Sequence, residues 1–128
     1  GGVDVISACD MRYSTEDAYF SVKEVDMGLV ADIGTMQRLP KIISYGMACE
    51  MAYTGRKVFG QEAEKIGLVN RCYADKETMM EEVIKVAENI ASKSPVVIPR
   101  FIDRSLIEFS SYKSMIITPL ALETLEGH

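Results

Sequence analysis

The sequence predicts a mixed α/β fold, and three observations predict it. Residues 76–93 carry Met80, Val83, Ala87, Ile90 and Ala91 at helical spacing, with Glu81, Glu82, Lys85 and Glu88 lying mostly away from that stripe. Short runs at 11–14, 18–22 and 68–73 hold aromatic or β-branched residues and suit strands. Gly55 and Gly67 each close a stretch with helical character, as stop signals between such elements.

Each element follows from local chemistry. Gly1 and Gly2 precede the apolar run Val3 to Ala8, which suits a helix start or a tight turn into one. Met11 to Ser14 and Ala18 to Val22, separated by Thr15, Glu16 and Asp17, predict two strands with a turn. Gly34 to Pro40 reads as a short helix after Asp32, with Pro40 near its end. Met47, Ala48, Met51 and Ala52 have helical spacing, and Gly55 stops that helix. Gln61 to Ile66 predicts a further short helix closed by Gly67, before Leu68 to Tyr73 as a strand. Asp75 is the expected N-cap of the helix over 76–93, with Thr78 three positions beyond it. Ser94-Pro95 marks the next boundary, and from Ser110 no periodicity is sustained.

A chain of 128 residues can form one modest domain, and it contains no repeat, low-complexity tract or evident linker. It opens inside a glycine motif without Met, so we read it as part of a longer protein whose targeting signals are not on view.

Composition excludes several chemistries. The single histidine, His128, is the last residue, which leaves a Ser-His-Asp or Cys-His arrangement without an internal base. Cys9, Cys49 and Cys72 are odd in number, widely spaced and set among apolar residues. That pattern fits neither a disulfide framework nor a zinc site, and a reducing compartment is expected. No metal is called for. The glycines form neither GxGxxG nor a Walker loop. Net charge is −5 and no basic run exceeds two residues, which argues against nucleic acid as a partner. Nothing approaches the roughly 18 apolar residues of a membrane span.

Carboxylates remain as the candidates for side-chain chemistry. Asp4, Glu24 and Asp32 lie in small-residue or apolar stretches: Gly-Gly-Val-Asp4-Val-Ile, Val-Lys-Glu24-Val-Asp-Met-Gly-Leu and Leu-Val-Ala-Asp32-Ile-Gly-Thr. Ionised acids are costly to bury unpaired, so this placement suggests a half-buried polar site. There, like charges and desolvation can hold one carboxyl neutral and another ionised. Structural readings stand beside this one. Asp32 precedes a short helix, and an N-cap aspartate is worth about 1 kcal/mol. Glu24 can belong to a solvated face with Lys23 and Asp26, and Asp4 can accept a hydrogen bond near a helix start. The methionine stripe and the cysteines read as core packing. In the sharper reading, a Gly-Gly turn offers N–H groups to a developing oxyanion, while acids on the following loops move a proton on and off carbon.

These residues also resemble a known family. Gly1-Gly2-Val3-Asp4, Ala8-Cys9-Asp10 and Phe20-Ser-Val-Lys-Glu24-Val-Asp-Met-Gly-Leu29 are similar to the enoyl-CoA hydratase/isomerase (crotonase) superfamily. The likeness continues through Gly34-Thr35-Met-Gln-Arg38-Leu39-Pro40, Tyr53-Thr54-Gly55-Arg56 and Ala63-Glu64-Lys-Ile-Gly67-Leu68-Val69. It runs in order from Gly1 to about Pro95 and implies a crotonase-like β-α spiral, with residues 1–95 as the C-terminal part of the domain. Residues 96–128 read as a divergent, partly helical tail.

Within the superfamily the acids select a branch. The hydratases carry Glu at the positions of Asp4 and Glu24 and glycine at that of Asp32. Asp4, Glu24 and Asp32 together resemble the Δ3,5-Δ2,4-dienoyl-CoA isomerases, which convert a 3,5-dienoyl-CoA to the 2,4-dienoyl-CoA in unsaturated fatty acid β-oxidation. The resemblance implies that the Gly1 N–H contributes to the oxyanion hole for the thioester oxygen. Glu24 then takes the C2 proton, Asp32 delivers one at C6, and Asp4 tunes the pair. It further implies an acyl-CoA substrate with no separate cofactor, a homo-trimer or hexamer for the whole protein, and a mitochondrial or peroxisomal setting. The chain ends Leu-Glu-Gly-His, not in a Ser-Lys-Leu type address, which favours mitochondria if that end is genuine. The alternatives are an enoyl-CoA hydratase using Asp4 and Glu24, or a truncated, non-catalytic crotonase-like chain.

Overall fold

The computed structural model describes residues 2–99. Gly1, and with it the expected oxyanion donor, lies outside the described residues, as does the predicted tail beyond residue 99. The described elements are, in order, α1 (Gly2–Ser7), β1 (Tyr13–Thr15), β2 (Tyr19–Phe20), a 3-10 helix (Glu24–Met27), α2 (Thr35–Ile42), α3 (Tyr45–Thr54), β3 (Val58–Phe59), α4 (Gly60–Lys65), β4 (Arg71–Tyr73) and α5 (Lys76–Ala91). The chain forms two compact units, Gly1–Met79 and Met80–His128, so the division falls within α5.

Helix ends follow their side chains. Ser44 starts α3 by accepting from the Met47 N–H at 3.3 Å. Gly55, in the left-handed region at φ 60°, ends it and returns its N–H to the Met51 carbonyl. Asp75 caps α5 as expected, accepting from the Thr78 N–H at 2.7 Å and the Thr78 hydroxyl at 3.0 Å. Pro40 does not end α2. It sits inside the helix, which runs on to Ile42.

The two predicted strands after α1 form, but not as a hairpin. β1 pairs in parallel with β4, with Tyr13 opposite Arg71 and Thr15 opposite Tyr73. β2 pairs antiparallel with β3, with Tyr19 opposite Phe59 and Phe20 opposite Val58. The turn at Glu16 points instead to β4, since the Glu16 N–H donates to the Tyr73 carbonyl at 2.9 Å. On the exposed side of the second pair, the Tyr19 and Phe59 rings lie 6.0 Å apart and Lys57 stands 4.2 Å over the Tyr19 ring.

The core gathers Val3, Val22, Ala31, Leu39, Ile43, Ala48, Met51, Val58, Ala63, Leu68 and Val69. α1, α2, α3, β3 and α4 each supply at least one of these, and Ala31 comes from the loop before α2, so α1 and that loop are fixed by the same core. Gly60 marks the tightest approach. A side-chain carbon there would overlap the Thr15 backbone carbonyl and stand 2.7 Å from Cys72 Sγ, so glycine lets α4 press against both paired strands.

The start of α2 departs from expectation. Its N-cap is Gly34, at φ 110°, and Gly34 has no side chain to close the helix. Asp32 is two residues too early and its side chain is exposed, so it does not cap. Asp4, from α1, does so across space. One of its carboxylate oxygens accepts the Thr35 N–H at 3.0 Å and also the Thr35 hydroxyl. An anion at a helix N-terminus is favoured by the helix dipole, and both partners here are buried.

Burial alone raises the pKa of the Asp4 carboxyl. Hydrogen bonds from Thr35 lead the opposing effects, and the net result lies below the ordinary 3.8. A lowered folded-state value means that Asp4 stabilises the fold above the unfolded-state pKa, and that this contribution is lost as pH falls through the folded value. Urea unfolding of the wild type should therefore weaken as pH drops below the ordinary aspartate value of 3.8, and Asp4→Asn should be less stable at neutral pH with a shallower acid decline. Parallel declines for the two proteins would remove Asp4 from this role. Gly60→Ala should lower stability by about 1–3 kcal/mol through overpacking, read from the same unfolding curves.

Candidate active site

The three acids occupy three different environments. Asp4 is 5% exposed, Glu24 is half-buried, and Asp32 is exposed. A half-buried setting was expected for all three. Asp32 differs because the loop that carries it packs through Ala31 alone: Ala31 is buried, while Leu29, Val30 and Ile33 stand 61%, 78% and 72% exposed. Nor is Asp4 the acid held neutral. Its two hydrogen bonds from Thr35 favour the carboxylate.

Asp4 and the Asp32 loop are joined by a set of bonds centred on Arg38. One guanidinium nitrogen, Nη2, donates to the Asp4 backbone carbonyl at 2.9 Å and to the Ile33 carbonyl at 2.9 Å. Nε donates to Ser7 Oγ at 3.2 Å, and Ser7 Oγ donates to the Asp4 carbonyl at 3.0 Å. A side-chain carbon on Gly34 would overlap the guanidinium, so glycine at 34 lets Arg38 lie flat across the turn. Thr35 and Arg38 are three residues apart on one helix face, as are Asp4 and Ser7 on α1. That spacing was the available signal for this cluster. Thr35 and Arg38 carried the family resemblance, yet neither they nor Ser7 stood out as functional from sequence.

Glu24 is held by other contacts. It opens the 3-10 helix, whose turn closes when the Leu29 N–H donates to the Glu24 carbonyl at 2.9 Å. Ser21, just before, donates to the Gly55 carbonyl at 2.6 Å, tying this segment to the end of α3. The neighbouring acid Asp26 pairs with Lys23 at 2.8 Å. The structure thus binds Asp4 to the Asp32 loop and anchors Glu24 separately.

Exposed apolar side chains flank Glu24 and Asp32 along the chain. Val25, Met27, Leu29, Val30, Ile33 and Met36 all lie more than a third exposed along residues 25–36. Among the described residues no group of His, Cys, Asp and Glu could hold a metal ion, and no helix is long and apolar enough to cross a membrane. The three cysteines are half-buried and form no disulfide among the described residues.

Comparison with known proteins gives this arrangement a setting. The mitochondrial Δ(3,5)-Δ(2,4)-dienoyl-CoA isomerase of Homo sapiens is 52% identical over 99 residues, covering 77% of this chain and 30% of that protein. The peroxisomal Δ(3,5)-Δ(2,4)-dienoyl-CoA isomerase of Arabidopsis thaliana is 50% identical over 98 residues, covering 77% of this chain and 35% of that protein. The chain therefore spans about a third of the length of these relatives. A crystal structure of a probable enoyl-CoA hydratase/isomerase from Mycobacterium abscessus superposes with a TM-score of 0.68 at 38% identity, over 73% of this chain and 36% of that one. The expected crotonase-like α/β fold, present in part, is borne out. The enoyl-CoA hydratase/isomerase profile matches residues 1–114, and the chain belongs to that family.

Proposed function

We propose that the whole protein to which this chain contributes isomerises 3,5-dienoyl-CoA to 2,4-dienoyl-CoA. The likeness to two dienoyl-CoA isomerases over three quarters of the chain carries this reading. The placement of the acids supports it: Glu24 and Asp32 sit on separately anchored segments among exposed apolar side chains.

Two separate acids suit a proton transfer between distant carbons. Glu24, as carboxylate, takes the C2 proton. The electron pair moves into the thioester carbonyl and conjugates with both double bonds. Asp32, as carboxylic acid, delivers its proton at C6, leaving double bonds at C2–C3 and C4–C5. The pair then holds one proton on Glu24 and none on Asp32, and exchange with water resets it. Gly1 supplies an oxyanion N–H in this reading, a contact worth about 10²–10³ in rate. Asp4 acts through its neighbours, because its charge is engaged with Thr35 at the start of α2. No cofactor beyond the CoA thioester itself is required. The whole protein works as a homo-trimer or hexamer in mitochondria or peroxisomes, the compartments named for the two relatives.

Ultraviolet assays of the whole protein on 3,5-dienoyl-CoA and on 2-enoyl-CoA separate this reading from a hydratase. The expected result is growth of the conjugated 2,4-dienoyl absorbance with little hydration. Hydration without dienoyl conversion would favour the hydratase instead. Glu24→Gln should lower isomerisation by about 10²–10⁴, the usual range for a lost general base. Asp32→Asn should do the same while leaving deuterium exchange at C2 in place, and loss of that exchange would reassign Asp32.

A further inference from the structure

The Asp32 loop is poorly supported by packing, yet it carries an acid whose position decides where the second proton lands. Of residues 29–33 only Ala31 is buried. A single core side chain on a short exposed loop leaves the residues on either side free to turn about it. The second anchor is a backbone one: the Ile33 carbonyl accepts from Arg38 Nη2 at 2.9 Å. Asp32 is therefore clamped between a buried alanine and a bonded carbonyl. The same nitrogen holds the Asp4 carbonyl at 2.9 Å, so the loop is referenced directly to α1. Thr35 adds a second tie to α1 through the Asp4 carboxylate.

We propose that Arg38 and Thr35 are positioning residues that lock the Asp32 loop against α1 and so fix where the Asp32 carboxyl meets the far end of the substrate. This deepens, and rests on, the isomerase reading. Two features favour a dedicated role over ordinary packing. Arg38 donates from Nη2 to main-chain carbonyls of two different segments and from Nε to Ser7 Oγ, a spread of donors that the planar guanidinium fork holds in fixed geometry. Gly34 leaves room for that fork at the turn, where any side chain would displace it. The segment before Glu24 has its own anchor, the Ser21 hydroxyl bonded to the Gly55 carbonyl.

The separation gives a distinctive signature. Misplacing a reacting group by about 1 Å can cost on the order of 10² in rate, and here only the Asp32 step should feel it. In the whole protein, Arg38→Met and Thr35→Val should lower kcat for isomerisation by about 10- to 100-fold. Deuterium wash-in at C2 of the unreacted 3,5-dienoyl-CoA, which reads the Glu24 step, should stay close to wild type, as should KM. Thr35→Ser retains both donors and should restore the rate. Arg38→Lys keeps a cation able to donate to the carbonyls but loses the Nε bond to Ser7 and the rigid plane, and should recover part of the rate. Isomerisation and C2 exchange falling together, or Thr35→Ser behaving like Thr35→Val, would overturn the lock. Should Arg38→Met fail to fold, the Thr35 pair and Arg38→Lys decide the matter by the same two readouts. Wild-type protein without dienoyl conversion would instead overturn the isomerase reading, an outcome visible before any variant is made.

Discussion

The rest of the site depends on one buried charge finding a partner. A carboxylate that is 5% exposed needs hydrogen bonds to remain ionised, because desolvation otherwise drives it to the neutral form. For Asp4 the Thr35 N–H and hydroxyl meet that need. The arrangement constrains both sides. Thr35 must be the first residue of α2, Gly34 must turn the chain at φ 110°, and α1 must lie close enough to reach. Arg38, one turn further along, then falls where it can hold the backbone of α1 and the turn together.

Around this joint the three acids differ in how they are held. Backbone groups and buried side chains make the anchoring contacts, while Glu24 is half-buried and Asp32 exposed on short segments. A second arginine in the same unit, just after Gly55, plays a similar part. Arg56 meets Glu62 through two nitrogens, at 3.0 and 2.7 Å, and Glu50 at 2.6 Å, binding the end of α3 to α4. Its bonds hold the Glu62 carboxyl below its usual range. Both arginines stitch helices, but Arg56 does so through carboxylates and Arg38 through carbonyls. Carbonyl acceptors fix main-chain positions, and so the loop that bears Asp32 is held by its backbone.

Much of this architecture was legible in the sequence, and what was missed shares one cause. Glycines, caps and spacing act over a few residues, so α3 with its Gly55 end, α4 before Gly67 and α5 with its Asp75 cap were readable. The strand partners were not. Thr15, Glu16 and Asp17 read as a turn between two strands, but the pairing of β1 with β4 depends on residues far along the chain. The cap of α2 was misplaced on Asp32 for the same reason, since sequence shows the adjacent acid and not the one brought from α1. The acids themselves were visible through their apolar surroundings. Their burial was not, because alternation around Ala31 turns Val30 and Asp32 outwards. Arg38 looked like one more helix residue until its acceptors came from three other places in the chain.

The separation of those strand partners also bears on how the chain reaches its structure. Arg12 and Asn70, which bracket the start of the β1–β4 pair, are 58 positions apart and exchange bonds at 2.8 and 2.7 Å. Closing so long a loop costs entropy before any strand contact repays it, and folding slows as contacts become less local. On a ribosome, β1 would emerge before β4 and wait for its partner until the helices between them had been made. Through that interval the helices must form and hold their places with an unpaired strand edge beside them. An exposed edge invites pairing with other chains. The two-residue β2 and three-residue β1 offer such encounters very little length to grip.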